Sequence, residues 1–138
     1  MRFTHFVLLD DDPVSTLINE FALDACAVKG ENKITFDDPV ACLEYVASGL
    51  LPIGSNACLL LDLNMPKLNG WQFLREFARL PHNVRSQYTV VIVRSSFDPK
   101  DQEQAEAHPF VSGFVNKPLT APTLGNQLDR LDQRKRRA

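Results

Sequence analysis

Residues 57–62 read Ala-Cys-Leu-Leu-Leu-Asp, an apolar run without polar alternation that stops on a carboxylate. No other stretch constrains the fold as much. A strand with no polar side is covered on both faces, as in the middle of a parallel sheet. In open α/β sheets the chemistry gathers outside the carboxyl ends of the strands, and that is where Asp62 stands. Asn64, Pro66, Asn69 and Gly70 then make a loop, and Trp71 opens a helical pattern.

Four more strands are predicted around it. Residues 3–9 become continuously apolar at Phe6-Val7-Leu8-Leu9, 33–36 form a short strand, 88–93 are β-branched and apolar, and 110–115 form the fifth. Helices alternate with them. Asp12-Pro13, Asp38-Pro39 and Asp98-Pro99 each place a capping carboxylate before a proline at the first helical position. Leu17, Ile18, Phe21 and Ala25 recur at helical spacing, so the first helix is predicted to run to about Val28 and stop at Gly30. Ala41, Leu43, Val46 and Ala47 line the second helix. Trp71, Phe73, Leu74, Phe77 and Leu80 line the third, ended by Pro81. A polar fourth helix covers 100–107. The last, from about Ala121, turns Leu124, Leu128 and Leu131 inward and ends in the basic run Arg134-Lys135-Arg136-Arg137, which suits a helix C-terminus better than a nucleic-acid patch. Five strands alternating with five helices predict an α/β fold: a flavodoxin-like, doubly wound, five-stranded parallel sheet. One domain is expected, with a core over about 3–131 and a basic tail over 132–138.

Composition excludes several classes of function. A net charge of −2 gives no argument for nucleic acid or an anionic membrane as partner. Cys26, Cys42 and Cys58 lack CxxC spacing and sit among apolar residues, so they read as reduced core residues of a cytoplasmic protein. No apolar run reaches membrane-spanning length, and the first residues lack a signal-peptide core.

The strand ends carry the chemistry. Strand one delivers Asp10 and Asp11, strand three Asp62, strand four Ser95, and strand five Lys117. In a parallel sheet these ends share one edge. Three carboxylates in one crevice repel one another, and a divalent cation with oxygen ligands and retained waters, Mg²⁺, resolves this. A metal, an ammonium and a hydroxyl are what phosphoryl transfer needs, and Asp62 is then the candidate nucleophile.

Over nearly its whole length the chain resembles the receiver domain of two-component response regulators, the CheY-like family. The resemblance rests on Val7-Leu8-Leu9-Asp10-Asp11-Asp12-Pro13, Leu60-Leu61-Asp62-Leu63-Asn64-Met65-Pro66 with Asn69-Gly70, Ser95-Ser96, and Lys117-Pro118. It implies that Asp62 accepts a phosphoryl group from a sensor histidine kinase or phosphotransfer protein. Asp10, Asp11, Asp62 and the Asn64 backbone carbonyl would hold Mg²⁺. Lys117 would contact the phosphoryl group and Ser95 would hydrogen-bond it. Phe114, three residues before the lysine, falls at the family's aromatic switch position. Counting back from Lys117 without a gap selects Ser95 as the hydroxyl; counting forward from the strand selects Arg94. Ser95 is preferred because Ser95-Ser96-Phe97-Asp98 resembles the family's small, aromatic and acidic loop. Asn64 and Phe97 would flank the phosphoryl group and tune its hydrolysis, with Phe97 predicting slow loss.

The expected protein is a stand-alone receiver. It would signal through an output protein by phosphorylation-biased binding and act as no enzyme beyond its own phosphorylation and slow dephosphorylation; a homodimer is left open. Two other functions compete. Asp10-Asp11-Asp12-Pro13-Val14 also fits the DxDx[TV] motif of haloacid-dehalogenase-like phosphatases, with Asp10 as nucleophile, but the later acids Asp129 and Asp132 fall on a helix. A pseudo-receiver, an interaction module without phosphorylation, rests on Arg94. Asp12 reads as a helix cap rather than a ligand, Gly70 as a turn residue, and His82 and His108 as solvated loop residues. Phe73 is expected in the core, with Trp71 partly exposed near the site.

Overall fold

The five apolar segments pair as one parallel sheet. In the computed structural model, which describes residues 3–26, 32–94 and 99–137, the strands are β1 (His5–Leu9), β2 (Lys33–Phe36), β3 (Ala57–Asp62), β4 (Tyr88–Arg94) and β5 (Val111–Asn116). Their order is β2-β1-β3-β4-β5, so the all-apolar β3 is central and every one of its residues is buried. Asp62, its last residue, lies opposite Val93 of β4.

The helices are α1 (Pro13–Ala25), α2 (Pro39–Ala47), α3 (Gly70–Phe77), α4 (His82–Arg85), α5 (Pro99–Ala107) and α6 (Ala121–Arg137). On one face of the sheet, Val7, Leu9, Leu59, Leu61, Val90 and Ile92 pack with Cys42 and Val46 of α2 and with Phe73, Leu74 and Phe77 of α3. On the other, Phe6, Leu8, Leu60, Val91 and Val93 meet Leu23 of α1 and Leu124, Leu128 and Leu131 of α6. The period-2 alternation of each strand thus feeds two cores. The three α6 leucines contribute about 5–9 kcal/mol of burial, whereas α5 buries one alanine, Ala105. The first fastens its helix firmly; the second hardly does.

The flavodoxin-like doubly wound fold read from the sequence is the fold observed, with differences of detail. A one-turn helix, α4, follows Pro81. The Asp12 and Asp38 caps each accept the backbone N–H two residues on, while Asp98, Val28 and Gly30 lie outside the described residues. Cys42 and Cys58 are buried, Cys26 is half-buried, and no disulfide joins any of the three among the described residues.

The larger surprise is α1. The residues that predicted the helix do not face the core: Leu17 is 69% exposed and Phe21 77%, while the buried positions include Ser15 and Asn19. A second irregularity lies in β5. Val90 pairs with Val111 but Val91 with Gly113, so Ser112 is an extra, bulged residue.

Candidate functional site

Leu9 of β1 and Leu61 of β3 are register partners, so the residues that follow them, Asp10 and Asp62, emerge side by side at the sheet's carboxyl edge. Both are almost fully buried, at 2% and 3% exposure, and Asp11 beside them is half-buried. Lys117, one residue past β5, reaches over to them. Its Nζ lies 2.9 Å from Asp10 Oδ2 and 3.3 Å from Asp62 Oδ2. Its backbone N–H donates to the Arg94 carbonyl at 2.6 Å, which extends the β4–β5 ladder to the site. The Lys117–Pro118 peptide is cis.

Asp10 explains the outward face of α1. Its Oδ1 accepts the Asp12 N–H at 2.9 Å, and its Oδ2 accepts from the Ser15 hydroxyl and, at 3.5 Å, from Asn19 Nδ2. A buried carboxylate without donors is costly, so α1 turns its polar Ser15 and Asn19 inward, one helical turn apart. Its larger apolar residues are left outside. Neither residue was singled out in the sequence; the usable signal was a polar pair at i, i+4 directly after the acidic strand end.

Asp62 accepts the Asn64 N–H on Oδ1 at 3.1 Å. Behind it the chain is pressed against the start of α3. Gly70 donates its N–H to the Leu63 carbonyl at 3.1 Å. A Cβ there would come within 2.8 Å of Leu63 Cδ2 and 3.0 Å of the Asp62 carbonyl oxygen. Close approach, rather than an unusual turn, is therefore what glycine provides. Asn69 caps α3 in a reciprocal pair with Gln72.

The electrostatics follow from burial. Burial pushes Asp62 up to about 6, and the Asp10 charge adds to this against the Asn64 and Lys117 bonds. Burial acts on Asp10 as well, but the bonds from Ser15, Asp12 and Lys117 outweigh it and hold that carboxyl below its ordinary range. For Lys117 the bond to Asp10 and the charges of Asp62 and Asp10 outweigh burial and raise its pKa. One ammonium thus faces two buried carboxylates with a third at hand. Asp10, Asp11 and Asp62 can each present one oxygen so that all three lie within 4.8 Å of one another. This hard, all-oxygen, charge-excess donor set fits Mg²⁺.

The remaining sequence candidates are placed unevenly. The Asn64 side chain is exposed beside this cluster. Ser95, with Ser96 and Phe97, lies outside the described residues. Phe114 is half-buried against the α2–α3 face of the sheet. Arg94, the last residue of β4, pairs with Asn116 in the ladder and is 1% exposed. The ungapped count back from Lys117 passes through the bulged Ser112, whereas the ladder itself puts Arg94 at the strand end. His108 is not the solvated residue expected. It is half-buried, stacks on Trp71 at 6.0 Å and lies 5.9 Å from Phe110, and burial lowers its pKa. His82 is exposed.

No protein-family model and no curated protein matches the chain. Solved structures do. A response regulator receiver protein from Dyadobacter fermentans is 29% identical, with a TM-score of 0.76 over 91% of this chain and 95% of that one. A two-component response regulator from Cytophaga hutchinsonii is 25% identical, with a TM-score of 0.84 over 96% and 99%. A receiver domain from Rhodospirillum rubrum is 25% identical, with a TM-score of 0.70 over 92% and 89%. Across about nine-tenths of its length, then, the chain's structural neighbours are CheY-like receiver domains of response regulators, and it shares their fold.

Proposed function

We propose that the chain is a phosphoacceptor of two-component signalling, and that Asp62 takes the phosphoryl group. The observation that carries this reading is the placement of Asp62 at the end of the central strand. There its Oδ2 meets Lys117 and its carboxylate joins Asp10 and Asp11 in a cluster suited to a cation. The donor is a phosphohistidine of a sensor kinase or phosphotransfer protein. An Asp62 oxygen bonds to phosphorus as the P–N bond breaks, and the departing imidazole keeps the electron pair and takes up a proton. Lys117 holds phosphoryl oxygens that gain charge during transfer. Asp10, Asp11, Asp62 and the Asn64 carbonyl would hold Mg²⁺, which supplies charge neutralisation when bound. Asp10 is tied to Ser15, Asn19, Asp12 and Lys117, which makes it a poorer nucleophile than Asp62 and disfavours the phosphatase reading. A cytoplasmic location and an output protein recognised after phosphorylation belong to the same proposal.

The test is incubation with acetyl phosphate and Mg²⁺, read by intact mass. Wild type and Asp10→Asn are expected to differ in rate, while Asp62→Ala takes no phosphoryl group. Phosphorylation of Asp62→Ala at the wild-type rate would refute the assignment. No mass gain in wild type at any Mg²⁺ concentration would favour the interaction-module reading.

A further inference from the structure

Lys117 has two carboxylates to serve and sits closer to the wrong one. Its Nζ is 2.9 Å from Asp10 Oδ2 and 3.3 Å from Asp62 Oδ2, so an ammonium needed at Asp62 is held more tightly by its neighbour. Asp10 is 2% exposed, and bulk water cannot take the lysine's place there. Drawing the ammonium away strands a buried charge unless other donors stand ready. Helix α1 supplies them. Ser15 Oγ and, at 3.5 Å, Asn19 Nδ2 both donate to Oδ2, the same oxygen that Lys117 holds. A carboxylate oxygen offers about two lone-pair sites, and Oδ2 therefore has a donor to spare. Both α1 residues are buried on the inner side of the helix, while Leu17 and Phe21 are left outside. Packing alone would favour apolar side chains at those two inner positions.

Building on the phosphoacceptor reading, on which this inference rests, we propose that Ser15 and Asn19 are positioning residues that hold Asp10 while Lys117 turns to the phosphoryl group on Asp62. In the unphosphorylated protein the two carboxylates share the ammonium. Phosphorylation places added charge and three acceptor oxygens on Asp62, and the ammonium leaves Asp10 to hold them. Ser15 stays on Oδ2 and Asn19 closes in from 3.5 Å, while Oδ1 keeps the Asp12 N–H. Asp10 thus stays satisfied and in place beside Asp11 and Asp62. The pair lowers the cost of moving the lysine without itself touching the phosphoryl group.

The test loads the full chain with acetyl phosphate over a series of Mg²⁺ concentrations, with loading read by intact mass. At saturating Mg²⁺, Ser15→Ala should load about 10-fold more slowly than wild type. Ser15→Ala combined with Asn19→Leu should be slower still, and Ser15→Thr, which keeps the hydroxyl, should stay near the wild-type rate. Loading of Ser15→Ala at the wild-type rate overturns the inference and leaves the phosphoacceptor reading intact. So does a deficit that disappears as Mg²⁺ is raised, which would put the pair in metal binding instead. A second measurement needs no phosphoryl group. In urea melts with chelator present, Ser15→Ala combined with Lys117→Met should lose more stability than the two single substitutions together, because each donor covers Oδ2 for the other. Additive losses overturn the inference. A doubly substituted chain that does not fold, beside single variants that do, is the extreme form of the expected result. Failure of wild type to load at any Mg²⁺ concentration overturns both this role and the phosphoacceptor reading.

Discussion

Replacing Asp62 by asparagine keeps the outline of the side chain, removes its charge, and is expected to stabilise the fold at neutral pH. The reason lies in the burial of this carboxyl, which is 3% exposed and pushed from an ordinary 3.8 up to about 6. Between those values the native protein holds a proton that the unfolded chain has released. Stability therefore falls as pH rises through that window. At 1.36 kcal/mol per pH unit, the interval amounts to about 3 kcal/mol lost by pH 7. Asparagine avoids that loss and retains hydrogen bonding to the Asn64 N–H, so Asp62→Asn should gain about 1–3 kcal/mol at pH 7.5. The gain should shrink below ~1 kcal/mol at pH 4, where wild-type Asp62 is protonated in the native state. Urea denaturation of both proteins at the two pH values, with a chelator present to exclude divalent cations, measures it. Equal stabilities at pH 7.5, or a gap that persists unchanged at pH 4, would show that desolvation does not govern this carboxyl.

Lys117→Met removes the ammonium that Asp10 and Asp62 share, and leaves two buried charges facing each other. In chelator it should cost about 3–5 kcal/mol in a urea melt, and added Mg²⁺ should recover part of this. Gly70→Ala drives a Cβ into Leu63 and the Asp62 carbonyl. The overpacking cost of about 1–3 kcal/mol exceeds the helix-propensity gain of up to ~1 kcal/mol, so a net loss in the same melt is expected. The Tyr88 hydroxyl is buried without a hydrogen-bond partner among the described residues, and burial raises its pKa. Tyr88→Phe should therefore be neutral or stabilising by up to ~1 kcal/mol in a thermal melt; a larger loss would reveal a partner for the hydroxyl.

The strands and their order of use were legible because burial on both faces leaves an unmistakable apolar run, and because parallel strands share one functional edge. Asp10, Asp62 and Lys117 could be brought together on that ground alone. The orientation of α1 could not. Periodicity reports which residues share a face, not which face the core receives, and the buried carboxylate of Asp10 outweighed the pull of Leu17 and Phe21 toward the interior. His108 differs for a related reason: a histidine beside a proline in a loop looks solvated until Trp71 arrives from elsewhere in the chain and stacks on it. The bulge at Ser112 left no mark in the sequence, because a residue count cannot see one.

That bulge has a consequence for how the chain tolerates changes in length. With Ser112 set outside the ladder, Phe114 pairs with Ile92 and Val115 with Val93, each on its proper side of the sheet. Had the same number of residues paired without a break, Phe114 would stand on the opposite face. Ser112 is thus an expansion joint: a residue removed there leaves the faces of Phe114, Val115 and Lys117 as they are. The same deletion three residues later would bring Asn116 to the face that Val115 now fills and turn Lys117 away from Asp10 and Asp62.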